Sequence, residues 1–361
     1  MWKKIVMGVL LVLSAVAGFG VAKVQSTMDN TLNQINRDKS SALKDVDLSD
    51  IKVESDNDIV NILLIGNDKR TEKVSGFRSD GLTDAMMIAT MDKKHNTLKL
   101  TTLMRDTLVE VTKAEQIRKL NSASNYGGIK NLYKTIAKNF NIKLDGYAMV
   151  DFNAFKDVVN AVGGVEVEVT DTEARYLSCT NYIRKKKNRH LKVGKQTLNG
   201  DQALGWCRIR KGKDKIGEPV VTANGLMDDY GRTWRQRTLI NAIFEKMKKL
   251  AWSEWIDIAN VALANVQTDL TNKEIMGYMY DVLTMGTTDI YQLQIPMNGY
   301  FRYGDKLEFP NSEGDSLVPT NGISSTFDTS TNAKIMKQFV FKYDGKGKFE
   351  FKDPNKSSSA N

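Results

Sequence analysis

Apolar and polar positions fall into blocks of different period along the chain. The first strong block is the unbroken run Ile62-Leu63-Leu64-Ile65, ended by Gly66, and such a run predicts a buried strand. Ala85–Met91 and Leu98–Met104 repeat the theme. The polar turn Asp92–Asn96 between them predicts an antiparallel hairpin over 86–91 and 97–103. Ile129–Phe140 instead places Leu132, Ile136 and Phe140 on one face, which predicts an amphipathic helix. Tyr147–Phe152 predicts a strand, and Ala154–Val162 a helix closed by Gly163-Gly164. Val165–Val169 alternates valine with glutamate, the pattern of a half-exposed strand. Ile240, Ile243, Met247 and Leu250 set a core-facing stripe on a helix over Arg232–Leu250. Thr271-Asn-Lys-Glu274 predicts a capped helix reaching about Met285, and Tyr291–Pro296 a last strand. One helix near Asn332–Phe341 interrupts a Gly/Ser/Asn-rich C-terminal stretch. The mixture predicts an α/β fold, a mixed central β-sheet flanked by helices on both faces.

The N-terminus is of another kind. Behind Lys3 and Lys4, Ile5–Ala22 runs eighteen residues without a charge, long enough to cross a bilayer. It reads as an N-terminal transmembrane helix with a cytoplasmic stub, the lysines keeping that end inside. Ala15-Val16-Ala17 offers the competing pattern of a cleaved leader. Either reading exports the remainder. Val24, Met28, Leu32 and Ile35 predict a helical stalk, and the charge-rich Asp38–Asp58 a linker. The expected organisation is therefore an anchor over 1–22, a stalk and linker over 23–56, a catalytic domain over 57–300, and a C-terminal extension over 301–361 with a disordered tail from Asp353.

Composition narrows the chemistry. In 361 residues there are only two histidines, His95 and His190. Both fall in polar turns, which argues against Ser-His-Asp or Cys-His catalysis and against a His-rich zinc site. The net charge of +9 points to an anionic partner. Between Arg175 and Lys215, thirteen Lys/Arg face two acids, Asp201 and Asp214; a solvated basic loop and an anion-binding surface fit equally. No aromatic interleaving, helix-turn-helix or zinc-finger spacing supports nucleic acid as the partner.

The remaining candidates are arginines and carboxylates at element ends. Asp68, Arg70, Arg78, Asp80, Arg105 and Asp106 surround the first three strands. Arg208 and Arg210 follow Asp201–Cys207; as a strand, that segment would point both guanidinium groups to one side. Asp229, Arg232, Arg235 and Gln236 mark the entry to the long helix, Arg232 and Gln236 sharing a face. Guanidinium forks match phosphate oxygens, and carboxylates among them make sense around a divalent cation that bridges to phosphate.

These pieces, in order, resemble the LytR-CpsA-Psr (LCP) family of cell-envelope phosphotransferases. The matching pieces are Asn61–Asp68 with Arg70, Arg78-Ser-Asp80, Arg105-Asp106-Thr107, Lys119-Leu-Asn121-Ser-Ala123, Tyr126-Gly-Gly128, Val150-Asp-Phe152, Gly163-Gly-Val165, Leu198–Leu204, Arg208-Ile-Arg210 and Asp229–Gln236. The resemblance implies transfer of a glycopolymer, teichoic-acid-like or capsular, from a polyprenyl-pyrophosphate carrier to a peptidoglycan sugar hydroxyl, outside the cytoplasm. It puts a metal, Mg²⁺ or Mn²⁺, on Asp68 and Asp80. It puts pyrophosphate on Arg78, Arg105, Arg208, Arg210, Arg232, Arg235 and Gln236, and an isoprenoid tail in an apolar tunnel between sheet and helices. Asp106 and Asp229 are the candidate proton acceptors beside Arg105. A lipid-carrier pyrophosphate hydrolase and a non-catalytic receptor or regulator for such lipids stay open. Met104 stands where the family pattern has proline, and Tyr176–His190 and Lys211–Asp228 read as insertions. In an exported protein Cys179 and Cys207 are expected to pair, tying the basic insertion to the segment that carries Arg208.

Overall fold

The computed structural model describes residues 36–37, 42–67, 83–250, 254, 258, 266–287, 289–312 and 315–352. The expected membrane helix over 1–22, most of the stalk, and the tail from Asp353 lie outside the described residues. Among the described residues no helix is long and apolar enough to cross a membrane.

The chain begins with a two-residue strand, β1 (Asn36–Arg37), and reaches the first long strand, β2 (Ile59–Asn67). The expected hairpin follows as β3 (Thr83–Asp92) and β4 (Thr97–Leu103), antiparallel in register Met86↔Leu103 to Asp92↔Thr97. A ribbon, β5 (Leu108–Val111) and β6 (Gln116–Lys119), leads to α1 (Gly128–Phe140) and β7 (Gly146–Asp151). Next come α2 (Phe152–Ala161), β8 (Val165–Val169) and α3 (Asp171–Cys179), then β9 (Gly194–Leu198) and α4 (Gly200–Arg208). The long helix α5 (Asp228–Met247) is followed by β10 (Val266–Thr268), α6 (Asn272–Thr284) and β11 (Ile290–Ile295). The chain ends in a second ribbon, β12 (Phe301–Gly304) and β13 (Ser316–Pro319), and α7 (Ser330–Lys342).

The central sheet is seven-stranded, in the order β1-β10-β7-β2-β3-β4-β11. It is mixed: β2 pairs parallel with β7 and antiparallel with β3, and β11 pairs parallel with β4. β8 and β9 pair with each other instead, and the alternation of the valines puts Val165, Val167 and Val169 inside.

Strand alternation sends Leu63, Ile65, Met86, Ile88, Leu103 and Ile295 to one face of the sheet. There they meet Leu132, Ile136 and Phe140 of α1 and Ile335, Met336, Phe339 and Val340 of α7. α7 therefore completes the main core from beyond the expected domain limit at 300. The expected linker also joins it: Leu43 is in the core, and Val46, Leu48, Ile51 and Val53 pack against it. Five apolar residues dispersed among charges were enough to bind this segment down. Glu54 clamps it further, its N–H donating to Asn141 and its carbonyl accepting from Lys143.

On the opposite face, β8, β9, α2, α3, α4 and α5 share a second core around Val159, Leu198, Trp206, Ile209 and Leu239. Between this layer and the sheet the packing is incomplete, and a cavity remains.

Candidate active site

The cavity holds about 650 Å³. Its floor is the sheet, through Leu64, Gly66, Ala85, Met87 and Val150. Its roof is Phe152 and Phe155 of α2, Leu204 and Cys207 of α4, and the helix α5. Along α5 the residues facing it are Arg232 and Gln236, then Leu239, Ile240 and Ile243. Spacings of three and four keep them on one face, so the stripe changes from charged to apolar within two turns. The expected core stripe of this helix is thus half-exposed at Ile240 and Ile243 because it lines a void.

Charged side chains gather at the polar end. Arg105 and Asp106 follow β4 directly, in a loop held by the Met104 N–H donating to Ile295 and the Leu317 N–H donating to the Asp106 carbonyl. Asp106 Oδ2 lies 2.6 Å from an Arg210 terminal nitrogen, and Asp106 Oδ1 lies 3.2 Å from Lys119 Nζ. Arg210 Nε is 3.1 Å from Asp229 Oδ1, which is 2.6 Å from an Arg232 terminal nitrogen. The result is a continuous alternating chain, Lys119–Asp106–Arg210–Asp229–Arg232, with Arg105 Nε a further 3.6 Å from Asp106. Asp106, Asp229 and Arg232 are buried. Asp229 sits in the first turn of α5, where the helix dipole favours its negative charge. Among the described residues, the cations Lys119, Arg105, Arg208, Arg210 and Arg232 gather here with the carboxylates Asp106, Asp229 and the cavity-lining Asp151, an arrangement that suits an anionic ligand.

Arg208 and Arg210 reach the cavity by a route other than the one expected. Asp201–Cys207 is helix, not strand, started by a capping box in which Asn199 accepts from the Gln202 N–H and Gln202 accepts from the Asn199 N–H. Arg208 is the last residue of α4, and Ile209, extended at φ −55°, ψ 125°, is fully buried. With Ile209 turned inward, the arginines on either side both line the cavity. The Arg208 guanidinium rests 4.6 Å from the centre of the Phe152 ring.

Arg235 does not join them. It is buried, with Nε 2.6 Å from Glu173 Oε1 and a terminal nitrogen donating to the Ile209 carbonyl at 3.1 Å. Burial lowers its pKa, against the pull of Glu173 beside it. Arg235 braces the Arg208–Arg210 segment from behind, and the expectation of direct pyrophosphate contact is corrected: a helix turns 100° per residue, so its side chain leaves the cavity face that Gln236 occupies. The expected disulfide is corrected too. Cys179 is an exposed free thiol, and Cys207 a buried one that lines the cavity. Each Sγ donates to a carbonyl of its own helix, Tyr176 and Leu204 respectively. Burial pushes the Cys207 thiol up to about 12.

Asp68, Arg78 and Asp80 lie outside the described residues. Among the described residues no three His, Cys, Asp or Glu side chains converge on a metal position. Asp106 and Asp229 are each taken up by cations, so they offer no cation site. Lys119 has no role in the sequence pattern; its place at the end of β6, beside the Arg105 loop, gives it one. The basic insertion is ordered rather than loose. Ile183 is buried, and Asp201 Oδ2 accepts from the Lys185 N–H and from Asn188, both at 3.1 Å, leaving Arg184 to Lys187 exposed.

An arginine-lined rim above a largely apolar cavity, on a mixed α/β sheet, defines a site for an amphiphilic phosphate. The LytR_cpsA_psr family model matches residues 19–316, and the chain belongs to that family. It is 31% identical over 336 residues to the polyisoprenyl-teichoic acid–peptidoglycan teichoic acid transferase TagV of Bacillus subtilis (strain 168), covering 89% of this chain and 78% of that protein. It is 29% identical over 301 residues to the corresponding transferase TagU of Bacillus mycoides (strain KBAB4), covering 83% and 88%. A crystal structure of B. subtilis TagV superposes with a TM-score of 0.56 at 26% identity, covering 79% of this chain and 98% of that one.

Proposed function

We propose that this protein transfers an anionic glycopolymer of the teichoic acid type from a polyprenyl-pyrophosphate carrier to a sugar hydroxyl of peptidoglycan. One observation carries the reading: on α5 the cavity-facing stripe passes from Arg232 and Gln236 to Leu239, Ile240 and Ile243. That sequence of contacts fits a ligand with a pyrophosphate head and a hydrocarbon tail. Family membership, and the names of the relatives, support the polymer and the acceptor.

In the reaction, the acceptor oxygen forms a bond to the phosphorus that carries the glycan. The bond from that phosphorus to the bridging oxygen breaks, and its electron pair leaves with the lipid phosphate. Arg105, Arg208, Arg210 and Arg232 stabilise the charge that develops, aimed at the site before the reaction begins. Asp106 or Asp229 takes the hydroxyl proton. A Mg²⁺ or Mn²⁺ ion on Asp68 and Asp80, and export of the domain behind the apolar segment 5–22, belong to the proposal on sequence grounds. Asp68→Ala and Asp80→Ala should remove metal-dependent turnover and leave thermal melting unchanged.

The deciding experiment supplies purified protein with lipid-linked glycan, metal and peptidoglycan. Transfer to peptidoglycan is expected. Release into water would make the protein a hydrolase, and binding without turnover a receptor. Arg210→Ala and Arg232→Ala should each lower transfer by about 10²–10³-fold, as losses of transition-state donors do. Retained activity in both would sink the assignment.

A further inference from the structure

A second, smaller cavity of about 150 Å³ meets the charged chain from another direction. It shares Asp106, Arg210 and Asp229 with the site, and its other walls include Tyr230, Tyr303 and Asp315. None of the strand or helix residues that form the apolar cavity lines it; Arg210 alone faces both. The Arg210–Asp106–Asp229 unit therefore stands as a partition, with an apolar chamber on one side and a polar, aromatic one on the other.

Phosphoryl transfer requires the attacking and leaving oxygens to lie roughly in line through phosphorus. If the lipid phosphate departs toward the apolar cavity, the nucleophile must approach from elsewhere, and the small cavity is a second space that shares Arg210 with the first and adds Asp106 and Asp229. Its chemistry suits a carbohydrate. Tyr230 stacks on Phe301 with ring centroids 5.9 Å apart, and Phe301 meets Tyr303 edge-on at 6.0 Å. Tyr303 is 65% exposed although nothing about the fold requires a large ring at that point. Flat aromatic faces receive the C–H faces of sugar rings, and carboxylates beside them receive hydroxyl protons. Tyr230 Oη is buried, with the Tyr303 hydroxyl as its polar neighbour. Burial, and the neighbouring Tyr303 hydroxyl, raise its pKa, so it stays a neutral donor.

We propose that this cavity is the acceptor subsite: Tyr303 and Tyr230 seat the peptidoglycan sugar so that its hydroxyl meets the phosphorus from the Asp106–Asp229 side. The proposal rests on the transferase reading above. Tyr303 and Tyr230 are positioning residues, and the proton still passes to one of the two aspartates.

The test uses full-length protein in detergent with Tyr303→Ala, exposed and so safe for folding, and Tyr230→Phe, which removes only the hydroxyl. A soluble GlcNAc–MurNAc oligosaccharide serves as acceptor. Each variant should raise the acceptor KM roughly two- to tenfold, the loss expected for one aromatic or hydrogen-bond contact. Polyprenyl pyrophosphate affinity should stay at the parental value. An unchanged acceptor KM, or a parallel loss of lipid affinity, overturns the subsite. If the parent transfers nothing, the transferase reading has failed, and saturation-transfer NMR decides the subsite alone. Binding of the oligosaccharide to the parent, lost in Tyr303→Ala, supports it; no binding, or equal binding to both, overturns it.

Discussion

The two faces of the central sheet are built from the same strands and differ in almost every other respect. One face meets α1 and α7, and Leu63, Ile88, Leu132, Ile136, Ile335 and Phe339 are all fully or almost fully buried there. The other face meets α2, α4 and α5 across a 650 Å³ cavity. Interiors pack to the density of organic crystals, so an unfilled space of that size under a helix layer is sustained by something other than apolar contact. Here the layer is held by its own second core and by the buried Glu173–Arg235 pair. The closed face supplies stability. The open face keeps the site.

The sharpest way to break this contrast is to attack the closed face. Phe339→Ala should cost about 3–5 kcal/mol in urea unfolding, the range for deleting a buried ring. Lipid affinity of the folded fraction should be unchanged. A smaller loss is expected from Glu173→Gln, which leaves the Arg235 cation without a counter-charge and forfeits about 1.5–3 kcal/mol. Because Arg235 also holds the Ile209 carbonyl, pyrophosphate affinity should fall with it; stability loss alone would show that Arg235 positions nothing. Ile243→Ala inverts the Phe339 result. Its stability cost should be about 1 kcal/mol or less, since the side chain borders a void already present. Polyprenyl pyrophosphate affinity should drop several-fold while free pyrophosphate affinity holds, as calorimetry would reveal. The mildest probe leaves the chain unaltered. At pH 8 iodoacetamide should modify Cys179 and spare Cys207, whose thiolate is scarce below its raised pKa of about 12. Mass spectrometry reads the outcome, and alkylation at Cys207 would mean the cavity opens widely to water.

The closed face was also the legible one. Its strands and α1 follow from period alone, because each residue there has a single duty and its polarity reports it. α7 was visible as a helix, but a sequence does not say what a helix packs against, so its place in the core was not. On the open face residues serve two purposes and local pattern misleads. The Arg-x-Arg spacing after Asp201–Cys207 admitted a strand, although Asn199 and Gln202 spell a capping box that identifies the helix. Arg235 suggested a ligand contact because an arginine close to Arg232 and Gln236 in the chain is read by its neighbours; Glu173, 62 residues away, determines its real direction. Arg105, Asp106, Arg208, Arg210, Asp229 and Arg232 are legible as an ordered pattern, and distance along the chain hides how they interlock.

The C-terminal third carries a consequence for timing. A ribosome makes β2, β3, β4, α1 and every arginine of the site before it makes β11, β13 or α7. Until those last elements arrive, β4 is an open edge, the Arg105–Asp106 loop lacks its Leu317 clasp, and one sheet face lies bare. The unfinished chain is thus a polycation with an exposed apolar surface, the kind of intermediate that aggregates or recruits chaperones. A premature stop between α5 and α7 would leave the Lys119–Asp106–Arg210–Asp229–Arg232 chain in place and still leave the nascent chain unable to close around it.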